Sequence, residues 1–158
     1  MTSANMFIRL GRPEEGPALT ALALRSKALW GYSREFLDAC RQELTYDAAY
    51  VVAHRVYVVE SEGRVVGFCS LERLSDSELE LGALFVEPGE TGKGYGRILV
   101  THAIEEARAL GASRLVIQGD PNARGFYLAM GATLAGESPS GSIAGRMIPL
   151  FHLALDDE

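Results

Sequence analysis

The chain has 158 residues, a length that fits one domain spanning 1–158. Hydrophobic residues make up 47% and charged residues 23%, enough to bury a core and too apolar for a disordered tail. With 15 Lys+Arg against 21 Asp+Glu the net charge is -6, which argues against general attachment to nucleic acid or an anionic membrane and leaves room for a small basic pocket. No apolar run approaches the roughly 20 residues that span a bilayer. Asn5 and Arg9 interrupt the region where an export signal needs an apolar core. Cys40 and Cys69 are too few and too far apart for a disulfide framework, and His54, His102 and His152 lack ligand spacing, so no metal is assigned. The expected setting is the reducing cytoplasm.

Phe7 to Leu10 reads as an opening strand, and Gly11-Arg12-Pro13 turns it into a first helix. Ser33 is a good N-cap for a second helix over Arg34 to Leu44. Three strands follow, Val51 to Glu60, Arg64 to Leu71 and Leu79 to Val86, joined by turns at Ser61-Glu62-Gly63 and Ser75-Asp76-Ser77. They predict an antiparallel meander, with Gly82 marking a bulge. A long helix runs from Tyr95 to Leu110, with Gly111 at its C-terminal cap. Arg114 to Gln118 is a short buried strand, and Asp120-Pro121-Asn122 starts a further helix that Gly131 ends. Thr133 to Ala135 and Leu150 to Leu155 are the last strands, separated by a polar, glycine-rich loop over Glu137 to Pro149 that reads as a lid. The order describes an α/β or α+β sandwich with a mixed sheet.

The strongest local signal is Thr91-Gly92-Lys93-Gly94-Tyr95-Gly96-Arg97 between a strand and a helix. Alternate glycines let the backbone curl and expose N–H donors, and the following helix adds its positive end. Lys93 and Arg97 add cationic side chains, so the pattern suits phosphate or pyrophosphate oxygens. It is neither a P-loop, since no Lys-Ser or Lys-Thr follows, nor a dinucleotide fingerprint, since Arg97 stands where the third glycine belongs.

Here the sequence resembles the GCN5-related N-acetyltransferase family, which carries Arg/Gln-x-x-Gly-x-Gly/Ala at this loop. Thr91 replaces the family's Gln or Arg, while the glycines are in place. Leu84-Phe85-Val86 followed by Glu87-Pro88 is similar to its fourth strand, and Asp120 to Gly131 resembles its Asn…Phe-Tyr…Gly segment. The resemblance implies a mixed, mostly antiparallel sheet of about six to seven strands with a splayed centre and about four flanking helices. It implies acetyl-CoA as cofactor, its pyrophosphate on the backbone of Gly92 to Arg97 and its pantetheine arm along Leu84, Phe85 and Val86. It also implies an amine acceptor and a direct transfer.

The resemblance makes Tyr127 the proton donor to the departing thiolate; its residue pattern alone equally fits core packing beside Phe126. Glu80, six residues before Val86, is the candidate base; its alternation with Leu79 and Leu81 equally fits a solvated strand position. Asn122 is either a pantetheine contact or a helix cap. On the acceptor side, Trp30 and Tyr32 lie in the loop between the first two helices, where they line a pocket for a cation or, for Trp30, plug the core. Arg146 is a candidate for an acceptor carboxylate. The expectation is an N-acetyltransferase for a small-molecule amine, with no nucleic acid or membrane partner and a homodimer through sheet edges. A protein-acetylating enzyme and a non-catalytic CoA sensor are the alternatives.

Overall fold

The sheet is seeded at Glu62-Gly63, whose φ values of 55° and 81° are those of a tight two-residue hairpin turn. The turn joins β2 (Arg55–Ser61) to β3 (Arg64–Arg73), and β3 pairs antiparallel with β4 (Glu78–Val86). With β1 (Phe7–Leu10), β5 (Arg114–Gln118), β6 (Thr133–Pro139) and β7 (Met147–Ala154), the strands form a 7-stranded sheet of order β1-β2-β3-β4-β5-β7-β6. Every neighbouring pair is antiparallel except β4 with β5. This computed structural model describes residues 5–155; positions 1–4 and 156–158 of the expected domain lie outside the described residues.

Helices cover both faces. The amphipathic α4 (Tyr95–Ala109) buries Leu99, Val100, Ala103 and Ala107 completely, a stripe at helical spacing. Together with Tyr127 of α5 (Arg124–Ala129) it packs on Leu79, Leu81, Leu115, Ile117 and Phe151. The opposite core joins Leu19, Leu22 and Ala23 of α1 (Gly16–Ala28), Cys40 of α2 (Arg34–Cys40) and Val51 of α3 (Ala48–Ala53) to Phe68 and Ala83.

Two bulges set which side chains reach which core. Ser70 pairs with Ala83 and Leu71 with Leu81, so Gly82 is the extra residue of β4, as the sequence suggested. Leu79 and Leu81 therefore face α4, whereas Ala83 belongs to the core beneath α1. Glu80 alternates with those leucines and stands on the α1 side, directly opposite Glu72. Val66 plays the same part in β3 against β2.

Three expectations need correction. The β-branched run at Val51 does not begin a strand: the Asp47 carboxylate accepts the Tyr50 N–H at 2.9 Å and caps α3, a fifth α-helix, so β2 begins only at Arg55. A local cap outweighs the weaker strand preference of two valines. The second helix stops at Cys40 instead of Leu44, although Leu44 is still buried. The region 137–149 is no long lid, because β6 runs to Pro139 and β7 starts at Met147. Pro149 lacks only a donor, and its carbonyl accepts the Gly119 N–H at 3.1 Å.

Gly16 opens α1 where it crosses the 46–47 chain. An added Cβ would lie 2.6 Å from the Tyr46 carbonyl oxygen and 3.1 Å from the Asp47 carbonyl carbon. Because backbone has to move, Gly16→Ala is expected to cost about 1–3 kcal/mol, read as a lower urea midpoint at constant slope. An unchanged midpoint contradicts this packing.

Candidate active site

The glycine loop leaves a row of main-chain donors unused. Gly92 and Gly94 have φ of 81° and 89°, and Gly94 is the N-cap of α4 with no side chain to cap the helix. The first amide of the helix to find a partner is Ile98, which donates to the Gly94 carbonyl at 3.1 Å. From Thr91 to Arg97 no backbone N–H donates to a described group. A Cβ at Gly92 or Gly94 would meet nothing within 4 Å, so the space before the loop is open. Converging amides with the positive end of a helix make an anion cradle.

The side chains around the cradle divide. Lys93 is held by Glu90 at 3.0 Å, and Glu90 also takes Arg64 at 2.5 Å. Glu87 binds Arg25 at 2.6 Å. These pairs pin the segment before the loop, while Arg97 is exposed and has no ion-pair partner among the described residues.

Beside the loop the sheet opens. β4 pairs with β5 at only three positions, Glu78 with Arg114, Leu79 with Leu115 and Glu80 with Val116. Glu87 donates its N–H to Val66 of β3 at 2.8 Å, and Phe85 pairs with Phe68 in the same register. Antiparallel alternation then turns the N–H and C=O groups of Leu84 and Val86 to the opposite edge, where β5 no longer lies alongside.

Tyr127 lies on α5 and packs into the core beneath α4. Its ring, 7% exposed, packs on Phe126 and Phe151 with centroids 5.3 and 5.5 Å away. Burial raises the phenol pKa above its usual value, and the charges of Asp120 and Cys69 add to it, so the hydroxyl stays protonated at neutral pH. The hydroxyl has no hydrogen-bond partner among the described residues, and the ring is core packing.

Glu80 lies where β4 and β5 part. Burial raises its pKa, and Glu72 and Glu43 raise it further as like charges. The Tyr50 hydroxyl donates a short hydrogen bond to Glu72 and lies 2.9 Å from the Ser70 hydroxyl, while Ser142 donates a short one to Glu43. Sequence reasoning missed Glu43, Glu72, Tyr46 and Tyr50, which come from separate segments. The one available signal was register: once Gly82 is a bulge, Glu72 must face Glu80.

A second polar group ties the first helix to the end of β5. Asp120 binds Lys27 at 2.8 Å and accepts from the Tyr32 hydroxyl at 2.8 Å. Burial opposes its ionisation, but the Lys27 hydrogen bond, with those from Asn122 and Tyr32, outweighs it and lowers the pKa. Asp120, not Asn122, is the cap: it accepts the Asn122 N–H at 2.9 Å. The Asn122 side chain donates to Asp120 and Tyr32.

Tyr32 stacks on Phe36 at 4.1 Å, and Lys27 and Arg146 lie 5.4 and 5.5 Å from its ring centre. The ring is thus already engaged by Phe36 and by the chain's own cations, and Arg146 also donates to its hydroxyl at 3.0 Å. Trp30 is 48% exposed, so it does not plug the core, and its ring makes no stacking or cation–π contact among the described residues.

Among the described residues there is no group of three or more side chains suited to a metal ion and no helix long and apolar enough to cross a membrane. The cysteines sit in cores on opposite faces of the sheet, and burial pushes the Cys69 thiol up to about 12. Both thiols are free and buried.

The amides at the start of α4 and the unpaired edge of β4 suit an anion and an extended arm. Residues 22–132 match the family model for the acetyltransferase (GNAT) family, and the chain belongs to that family. It is 32% identical over 93% of its length to the peptidyl-lysine N-acetyltransferase YjaB of Escherichia coli, covering 95% of that protein. It is 29% identical to the 5-NmdU N-acetyltransferase of Pseudomonas phage PaMx11, over 86% of this chain and 93% of that protein. The fold matches the PaiA N-acetyltransferase of Thermoplasma acidophilum, solved in complex with coenzyme A, with a TM-score of 0.78 at 19% identity, covering 98% of this chain and 99% of that one. The chain is accordingly an acyltransferase, and acetyl-CoA is its cofactor.

Gly119 places the Tyr127 ring: a Cβ there would come 2.7 Å from its Cε2. Gly119→Ala is expected to lower kcat by about 10²-fold through a displaced phenol, with CoA affinity retained in calorimetry. An unchanged kcat contradicts a role for that ring position.

Proposed function

We propose that the chain transfers the acetyl group of acetyl-CoA directly to the amine of a small molecule. The observation that carries this reading is Glu80, a half-buried carboxylate of raised pKa placed where β4 leaves β5. The free amides of Gly92, Lys93, Gly94, Tyr95, Gly96 and Arg97 suit the pyrophosphate, with Thr91 at the entry. The open edge at Leu84 and Val86, with Phe85 between them, suits the pantetheine arm, and Asn122 is the candidate side-chain contact to it. Acetyl-CoA, when bound, supplies the acetyl group as an activated thioester.

The chain's own groups cover the remaining needs. A lysine-like ammonium has a pKa of about 10.4, so its proton must be removed before the nitrogen attacks. Glu80 takes that proton directly or through a water, and its raised pKa makes it a stronger base than an ordinary glutamate. The Val86 N–H, on the open edge of β4, suits an oxygen on which charge grows. Tyr127 Oη gives its proton to the leaving sulfur. With both cysteines buried, no residue competes to form an acyl-enzyme.

A second reading, acetylation of lysine in proteins, draws on the 32% identity to a peptidyl-lysine acetyltransferase. Incubation with acetyl-CoA and either an amine panel or basic peptides, followed by mass measurement, separates the two. Mass gain on peptides alone rejects the small-molecule reading.

Glu80→Gln is expected to lower kcat/KM by about 10²-fold and to abolish an acid limb that lies above the usual carboxylate range. The same variant is expected to raise the melting temperature at pH 7. A carboxylate whose folded pKa is raised disfavours the fold once it is ionised, so removing its charge stabilises. A variant that is as active as wild type, or less stable at pH 7, contradicts the assignment.

A further inference from the structure

The Asn122 carboxamide is held in one orientation by groups that the transfer chemistry does not use. Its nitrogen donates to Asp120 Oδ1 at 2.8 Å and to the Tyr32 hydroxyl at 3.0 Å. Both partners dictate which arm of the amide faces them. Burial opposes ionisation of Asp120, but the hydrogen bonds from Lys27, the Asn122 N–H and Tyr32 lower its pKa, so at neutral pH it only accepts. Tyr32 has one hydroxyl proton, which it gives to Asp120 at 2.8 Å, so it accepts from Asn122 as it accepts from Arg146 at 3.0 Å. A reversed amide would set its oxygen against a carboxylate and a hydroxyl lone pair. The Asn122 oxygen is therefore on the other arm, and it has no hydrogen-bond partner among the described residues.

The framework behind this amide is anchored to both sides of the parted strands. The last turn of α1 carries Arg25 and Lys27, which at a spacing of two do not share a helix face. Arg25 binds Glu87, beyond the end of β4, at 2.6 Å, and Lys27 binds Asp120, beyond the end of β5, at 2.8 Å. The second pair is the shielded one, with side chains 14% and 10% exposed. The segment that follows Asp120 brings α5 close to the free part of β4: a Cβ at Gly96 would lie 3.5 Å from Phe126 Cζ and 4.0 Å from Val86 Cγ2.

We propose that Asp120 is a positioning residue for the cofactor: fixed by Lys27 and aided by Tyr32, it turns the Asn122 carboxamide so that the amide oxygen accepts an N–H of the pantetheine arm. An arm laid along β4 carries amide N–H groups that need acceptors once they leave water. In the reversed orientation the Asn122 nitrogen would meet those donors as a donor, and the bond would be lost.

The inference rests on the reading above in one respect, the arm along β4, and calorimetry keeps the two apart. Coenzyme A is compared with 3′-phosphoadenosine 5′-diphosphate, its nucleotide and pyrophosphate without the arm. The proteins are wild type, Asn122→Ala, Asp120→Asn, Tyr32→Phe and the double variant Asp120→Asn/Asn122→Ala. Asn caps as well as Asp, so Asp120→Asn keeps the turn. Circular dichroism checks each fold, and Tyr32→Phe, which keeps the stack on Phe36, carries the same prediction should Asp120→Asn fail to fold. Each single change is expected to weaken coenzyme A about three- to tenfold, the contribution of one hydrogen bond, and to leave the nucleotide within about twofold. The double variant is expected to bind coenzyme A no more weakly than Asn122→Ala, because Asp120 acts through that amide. This pattern without thiol release to any amine supports the positioning role and rejects the transfer reading. Equal weakening of both ligands, wild-type affinity for coenzyme A in Asp120→Asn, or additive losses in the double variant overturn the positioning role. Thiol release to an amine alongside any of those three results leaves the transfer reading standing and overturns the positioning role alone.

Discussion

The partial pairing of β4 with β5 is the constraint on which the site depends. A parallel neighbour normally satisfies the edge of a strand along its length, but here contact ends at Glu80 and Val116. Everything beyond that point on the open edge is main chain with its hydrogen bonds unmade. Glu80 is the last residue of β4 that pairs with β5 before the gap. An extended, amide-bearing ligand arm satisfies such an edge as an added strand does.

Electrostatics divides the gap into two ends. The loop end offers unused N–H groups and the positive start of α4, with Lys93 already committed to Glu90. At the other end Glu72 stands opposite Glu80 and Glu43 acts on Glu80, and no cation of the described residues pairs with them. An anionic group suits the first end and a cationic group the second. The arrangement costs stability, since carboxylates face one another across β3 and β4. Local rules of strand pairing are broken where function requires it.

Much of this was legible in the residues. The glycine loop, the strand at Arg114–Gln118 and the Gly82 bulge follow from local chemistry, and the structure places them as expected. What stayed hidden depends on contacts distant in sequence. Val51 and Val52 read as strand until the Asp47 cap is seen, because the competition is between one hydrogen bond and a small propensity. Tyr32 looked like an open aromatic platform, and only the fold reveals that Lys27 and Arg146 already cover it. Glu43 and Tyr46 carried no signal at all, since Glu43 meets Ser142, and Tyr46 meets Tyr50 and Phe68, only after the chain folds.

The central claim, that the unused amides of the split strand and of the loop grip the cofactor, is open to direct measurement. Backbone amide resonances can be followed by NMR during titration with coenzyme A. The account predicts that Leu84, Val86 and the amides from Gly92 to Arg97 move together as the ligand saturates, while Phe85 and Glu87, bonded to β3, move least. Saturable binding with those amides unperturbed and the shifts clustered elsewhere would contradict it.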